Sequence, residues 1–284
     1  GLWIFGWHRL PRRLHLACIW LVTLTAYLSA FWIMVANSFL QHPAGAVLRD
    51  GRLTLADPGA LLTNPTLVFA LPHVLGAGLL TGGTVVMGAS AYHLFRRTAD
   101  RELFTASLRI GVVTAAIGSA VTVGFGYAQF GPIGAVQPGK FDGIAGVPLG
   151  LMIAIGQPAP MVLLLFLLPV IRRLPRWRYL HPLLMLAVPL PFLAAILGWL
   201  ARELGRQPWA IYGRLTVAEA LSPGLTAGRA LASTIVFIGL PALLATIDCL
   251  LIVRTVRRGP AHVALGAALE PGPGRPGPAL ALPY

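Results

Sequence analysis

Apolar residues do not alternate with polar ones along this chain; they gather in long runs, each closed by arginine, proline, glycine or a short polar stretch. An α-helix rises 1.5 Å per residue, so about 20 apolar residues cross the hydrocarbon of a bilayer. The runs predict six spanning helices, at residues 14–39, 67–95, 108–130, 147–171, 180–200 and 231–253. The last stretch, 259–284, is rich in Pro, Gly and Ala and is predicted to be disordered. The expected fold is an all-α, polytopic membrane helical bundle over residues 1–258, followed by that tail.

Composition agrees with the pattern. With 56% hydrophobic and 11% charged residues and a mean hydropathy of +0.76, the apolar positions exceed what one soluble core can bury, so they face membrane lipid. The net charge of +13 does not imply a nucleic-acid partner, because the arginines stand in short clusters between apolar runs. They sort by side instead. Arg9, Arg12, Arg13, Arg96, Arg97, Arg101, Arg172, Arg173, Arg176, Arg178, Arg254, Arg257 and Arg258 fall on one face. Arg49, Arg52, Lys140, Arg202, Arg206, Arg214 and Arg229 fall on the other. The positive-inside rule then places both termini in the cytoplasm and 198–225 outside. Cys18 and Cys249 lie within apolar runs and suggest no disulfide framework. The chain opens on Gly1 with no charged segment before its first span, which reads as a fragment rather than a precursor with a signal peptide.

Ionisable or metal-ligating side chains inside a membrane are costly and therefore mark candidate sites. His73 enters the second span about six residues from its outer end, roughly 9 Å deep by helical rise. Met152 enters the fourth span from the same side at a similar depth. An imidazole and a thioether at one depth can ligate the iron of a low-spin haem b. Each also has a plain alternative, an interhelical hydrogen bond for His73 and core filling for Met152. Met161 and Met185 are rivals, Met161 lying roughly 13 Å deeper. At the outer end of the fifth span, Trp199 and Glu203 share a helix face, and Gly205 and Pro208 end the helix. Glu203 and Arg206 among tryptophans can hold a charged cofactor group, or they can form a helix-end ion pair in an aromatic belt. Asp248 reads either as a proton-relay acid or as a partner of Thr246 or a neighbouring helix. His15, His93 and His181 are expected to be solvated at cytoplasmic ends. No phosphate-binding loop, zinc-spaced Cys and His set or nucleophile elbow is present.

The Gly-Arg-Gln-Pro-Trp run at 205–209, preceded by Trp199 and Glu203, resembles the signature of cytochrome bd quinol oxidase subunit I. His15-Leu16, Trp20-Leu21-Val22, Leu28-Ser29-Ala30, Trp32-Ile33, Val35-Ala36-Asn37 and the stretch 41–45 are similar to that subunit's fourth span, and residues 1–10 to the end of its third. The resemblance covers most of residues 1–258. It implies that His73 and Met152 are axial ligands of the iron of low-spin haem b and that Glu203 ligates the iron of high-spin haem b, with Trp199 and Arg206 at the haem site and Lys140 at the quinol site. The implied activity is quinol oxidation coupled to oxygen reduction in aerobic respiration, with subunit II as partner. The family's first two spans and most of its third are not in this sequence, and with them the histidine that ligates haem d. Haem d is therefore expected only if those spans are supplied, and the chain as given is not expected to reduce oxygen. Gly150 replaces an arginine expected two residues before Met152, and Ala145 a glutamate expected five after Lys140, in a shortened quinol loop. Two other functions fit the residues: a non-catalytic b-haem electron-transfer protein, and a haem-free membrane scaffold or transporter.

Overall fold

The computed structural model describes residues 1–6, 10–98 and 100–259. The tail expected to be disordered lies outside the described residues from 260 onward. Among the described residues six helical segments are long and apolar enough to span a membrane. They contain the helices α1 (Arg12–Gln41), α2 (Pro65–Arg96), α3 (Arg101–Ala128), α4 (Gly143–Gly156), α5 (Pro189–Leu204) and α6 (Ala227–Arg258). Two short antiparallel hairpins join them, β1 (Ala46–Arg49) with β2 (Arg52–Leu55) and β3 (Trp209–Ile211) with β4 (Leu215–Thr216).

Four of the helices, α1, α2, α3 and α6, are longer than their apolar runs, because polar and charged residues are tolerated in the turns that leave the hydrocarbon. Capping decides where α2 begins and ends. Asn64 accepts a hydrogen bond from the Thr66 amide at 2.9 Å, and Pro65 occupies the first helical position, where its missing N–H costs nothing. At the other end Arg97 turns into the left-handed region at φ 57°. Its amide donates to the carbonyls of His93 and Leu94, two of the acceptors that the helix end leaves without an intrahelical partner, and the Thr98 amide also donates to that of His93.

Prolines alter the fourth and fifth spans. Apolarity predicts the fourth as one helix to 171, but α4 breaks at Gln157, resumes for Pro158–Pro160 and passes into a π-helical segment, Met161–Leu167, where the span ends. Proline removes a backbone donor and crowds the preceding turn, so the hydrogen-bond ladder is reset. In the fifth, a short helix His181–Leu186 is separated from α5 by Ala187 and Val188, ahead of Pro189.

The described residues divide into two compact units, Phe31–Ala230 and a second made of those within 1–30 and 231–259. The larger is organised by α2 against α3. Gly83 and Gly76 on α2 face Gly111 and Gly118 on α3, each pair seven residues apart. A Cβ at Gly83 would stand 2.4 Å from the Ala115 amide nitrogen, and one at Gly118 would stand 2.3 Å from that of Leu80. Where lipid removes the hydrophobic drive between helices, this backbone approach supplies the packing. A core of Leu80, Met87, Leu94, Leu108, Val112 and Leu174 extends from it. The smaller unit contains the first turns of α1, where His15 Nε2 bonds the Trp3 carbonyl at 2.8 Å.

The expectation of solvated histidines is overturned. His15, His93 and His181 are all buried. His93 stacks on Phe104 at 4.0 Å between centroids, and His181 Nε2 donates to the Leu174 carbonyl at 3.2 Å. Ring packing and backbone bonds replace water there. Thr246 also differs: its hydroxyl donates to the Ala242 carbonyl of its own helix, not to Asp248.

Candidate functional site

His73 lies one residue after Pro72 within α2, and the close α2–α3 approach brings it to the Thr122 carbonyl, 2.7 Å from Nδ1. A carbonyl only accepts, so Nδ1 carries the proton and the lone pair of the neutral ring is on Nε2. This is how a backbone carbonyl fixes the tautomer of a metal-ligating histidine. Gly126 forms the seat of the ring, since a Cβ there would lie 3.1 Å from Nδ1.

Met152 on α4 packs against α5. Its sulfur would be 2.7 Å from a Cβ at Gly198, so the absent side chain at 198 is the slot that admits the thioether. α5 touches both α2 and α4, and thus links the helices that carry His73 and Met152. The rival methionines are placed elsewhere: Met161 is exposed in the π-helical segment, and Met185 packs on the α2–α3 core. Gly150 faces open space.

Glu203 sits at the end of α5, where one carboxylate oxygen pairs with Arg206 of the same turn. The other, Oε1, is 3.4 Å from the Asn37 amide of α1, a weak bond. Arg206 also donates to the Ala210 carbonyl in β3. Around this pair several buried polar atoms have no partner: Arg202 Nε and Nη2, Arg206 Nε, Asn37 Oδ1 and Ser38 Oγ. A buried donor without an acceptor costs about 1–3 kcal/mol, so the cluster is not self-sufficient. Three of the five are guanidinium N–H groups, which ask for carboxylate or phosphate oxygens. These donors fit the pendant carboxylates of the haem that the resemblance implies. Trp199, in contrast, is 62% exposed on α5 and makes no described contact with the cluster.

Lys140 closes the site from the connection between α3 and α4, at the end of a single 3-10 turn, Pro138–Lys140. It is 6% exposed. Its Nζ donates to Gln41 Oε1 at 2.6 Å and to Gln137 Oε1 at 2.7 Å, and Gln137 donates in turn to the Gln41 carbonyl at 2.7 Å. Burial, together with repulsion from Arg202 and Arg206, lowers its pKa to about 7, against the opposing pull of Glu203. Gln41, Gln137, Thr122 and Gly126 were not singled out as site residues from the sequence. The spacing of Gln137 from Lys140, one helical turn, was the only local signal, and the backbone carbonyl of Thr122 has none. Among the described residues no three His, Cys, Asp or Glu side chains converge on a common metal point.

Comparison with known proteins follows the same lines. The family model described as cytochrome bd terminal oxidase subunit I matches residues 1–149 and 147–260. The two stretches meet just behind Lys140, where the shortened loop was expected. The cytochrome bd ubiquinol oxidase subunit 1 of Bacillus subtilis (strain 168) is 28% identical over 337 residues, covering 92% of this chain and 72% of that protein. The cytochrome bd-II ubiquinol oxidase subunit 1 of Escherichia coli (strain K12) is 33% identical over 148 residues, 51% of this chain and 29% of its own length. A solved bd oxidase structure from Geobacillus thermodenitrificans superposes with a TM-score of 0.78 over 92% of this chain and 74% of that one, at 21% identity, which shows the shared fold.

Proposed function

Since the chain belongs to the cytochrome bd terminal oxidase subunit I family, we propose that this multi-pass membrane protein holds b-type haem and passes electrons from quinol towards oxygen, alongside a subunit II partner. The observation that carries this reading is the group of buried guanidinium donors of Arg202 and Arg206 that lack acceptors beside the half-buried Glu203.

In this reading haem supplies one-electron chemistry when bound, and the chain supplies position and charge. His73 offers Nε2 in a tautomer held by Thr122, and Met152 offers sulfur from the Gly198 slot, as the pair for low-spin haem b. Glu203 offers Oε1, the oxygen held only weakly by Asn37, to high-spin haem b. Arg202 and Arg206 neutralise carboxylate groups, which is the natural role of planar, permanently charged donors. Trp199, exposed on the flank of α5, would face the haem from outside the arginine cluster. Lys140 is the quinol-site residue: Gln41 and Gln137 take two N–H bonds of Nζ, and its remaining position, an N–H in the charged form and a lone pair in the neutral one, is the one that would meet a quinol oxygen. With a pKa about 7 the amine exists in both forms near neutrality and can take up a proton from a quinol hydroxyl.

Reduced-minus-oxidised absorption spectra of the protein purified with subunit II test this. His73→Ala should abolish the low-spin haem b band, and Glu203→Ala should spare it while removing the high-spin component. An unchanged low-spin spectrum in His73→Ala would overturn the assignment.

A further inference from the structure

At the end of the larger unit opposite Glu203, a small hollow opens between the last turn of α2 and the first turn of α3, lined by Leu94, Arg97, Thr98 and Arg101. We propose that it binds the phosphate group of an anionic lipid. Leu94 forms a buried floor, and Arg97 and Arg101 stand exposed at the rim. Neither arginine is ion-paired: the one salt bridge among the described residues is Glu203–Arg206. The Thr98 hydroxyl and amide both donate to the His93 carbonyl, at 3.4 and 3.2 Å, so that wall is fixed and the donors for an anion are left to the arginines.

The start of α3 adds to the attraction. Its first internal hydrogen bond runs from the Phe104 amide to the Asp100 carbonyl, and the Asp100 side chain makes no cap, so the amides of Arg101, Glu102 and Leu103 remain for an outside acceptor. Asp100 and Glu102 oppose an anion but do not line the hollow. Against those two acids this end carries Arg96, Arg97, Arg101, Arg172, Arg173, Arg176 and Arg178. Arg178 is tied to the same place through the Phe95 carbonyl, at 2.9 Å.

A lipid is the favoured source of the phosphate. The hollow lies where two spanning helices leave the apolar layer, which is headgroup level, and basic pockets between such helices suit anionic headgroups. Arg109, eight residues into α3, is exposed and unpaired although it lies within the span, as expected of an arginine that reaches back towards the same phosphates.

The test is native mass spectrometry of the protein purified with subunit II, titrated with dioleoyl phosphatidylglycerol or dioleoyl phosphatidylcholine. Thermal unfolding in inorganic phosphate forms a parallel arm. The wild type should retain one phosphatidylglycerol in preference to phosphatidylcholine. Arg97→Gln with Arg101→Gln should weaken that retention roughly tenfold or more, while Arg97→Lys with Arg101→Lys, which keeps the charge, should retain most of it. Arg172→Gln with Arg173→Gln should leave it unchanged. Equal retention by the wild type and the Gln pair would overturn the site, as would equal loss in the Arg172 and Arg173 pair. Protection by inorganic phosphate as strong as by phosphatidylglycerol would overturn the lipid assignment in favour of a free anion.

Discussion

Gly205 has no side chain at the point where the Lys140 stem passes: a Cβ there would stand 2.5 Å from Lys140 Cγ and 2.7 Å from Cε. The residue that ends α5 thus also makes room for the buried amine of the α3–α4 connection. Gly205→Ala must push Lys140 off Gln41 and Gln137, at a cost of about 1–3 kcal/mol for overpacking. Thermal unfolding should show that loss, and in Lys140→Ala the same substitution should cost much less. Equal costs in both backgrounds would mean that the two residues are not coupled.

Lys140 also predicts a pH dependence. Its folded pKa of about 7 lies below the ordinary 10.5, so the unfolded chain binds the proton more tightly. Stability should therefore rise with pH between those two values, by up to about 1.4 kcal/mol per unit, with no such gain below about 7 where both states are protonated. The unfolding midpoint of the wild type minus that of Lys140→Met, followed from pH 6 to pH 9.5, should increase through this window. A flat difference would show that the amine is not buried as described.

The α2–α3 contact can be tested by its glycines. Gly83→Ala forces a methyl against the Ala115 backbone and should destabilise by about 1–3 kcal/mol. Gly78→Ala meets nothing within 4 Å and should be neutral or slightly stabilising. If the approach of α3 is what delivers the Thr122 carbonyl, Gly83→Ala should in addition perturb the low-spin haem signal proposed to depend on His73, while Gly78→Ala leaves it intact.

Topology follows from the arginine clusters. A cysteine introduced between Gln41 and Asn64 should react with an impermeant reagent from outside the cell, and one placed between Thr98 and Glu102 should not. The opposite pattern would reverse the orientation, and with it the leaflet of the proposed lipid site.

What the sequence determined alone is the class of the molecule and the six apolar segments among its described residues. Runs of apolar residues about the thickness of a bilayer have no other stable use, and each of the six was found as a spanning segment. Glu203 and Arg206 were legible as candidates because charge near a membrane is rare enough to stand out, whereas Lys140 was named only through the family resemblance. Where a segment changes helix type was not legible, since apolarity continues through Pro160 and Pro189 while the hydrogen-bond ladder does not. The surroundings of each site residue were decided only by tertiary structure. The Thr122 carbonyl that orients His73 belongs to a backbone, and the slots at Gly198 and Gly205 are absences of side chain, so none of them has a residue-type signal. The two amides that hold Lys140 come from positions 99 and 3 residues away. Hydropathy reports how far a residue is from water, and only packing reports which atom of another helix it meets.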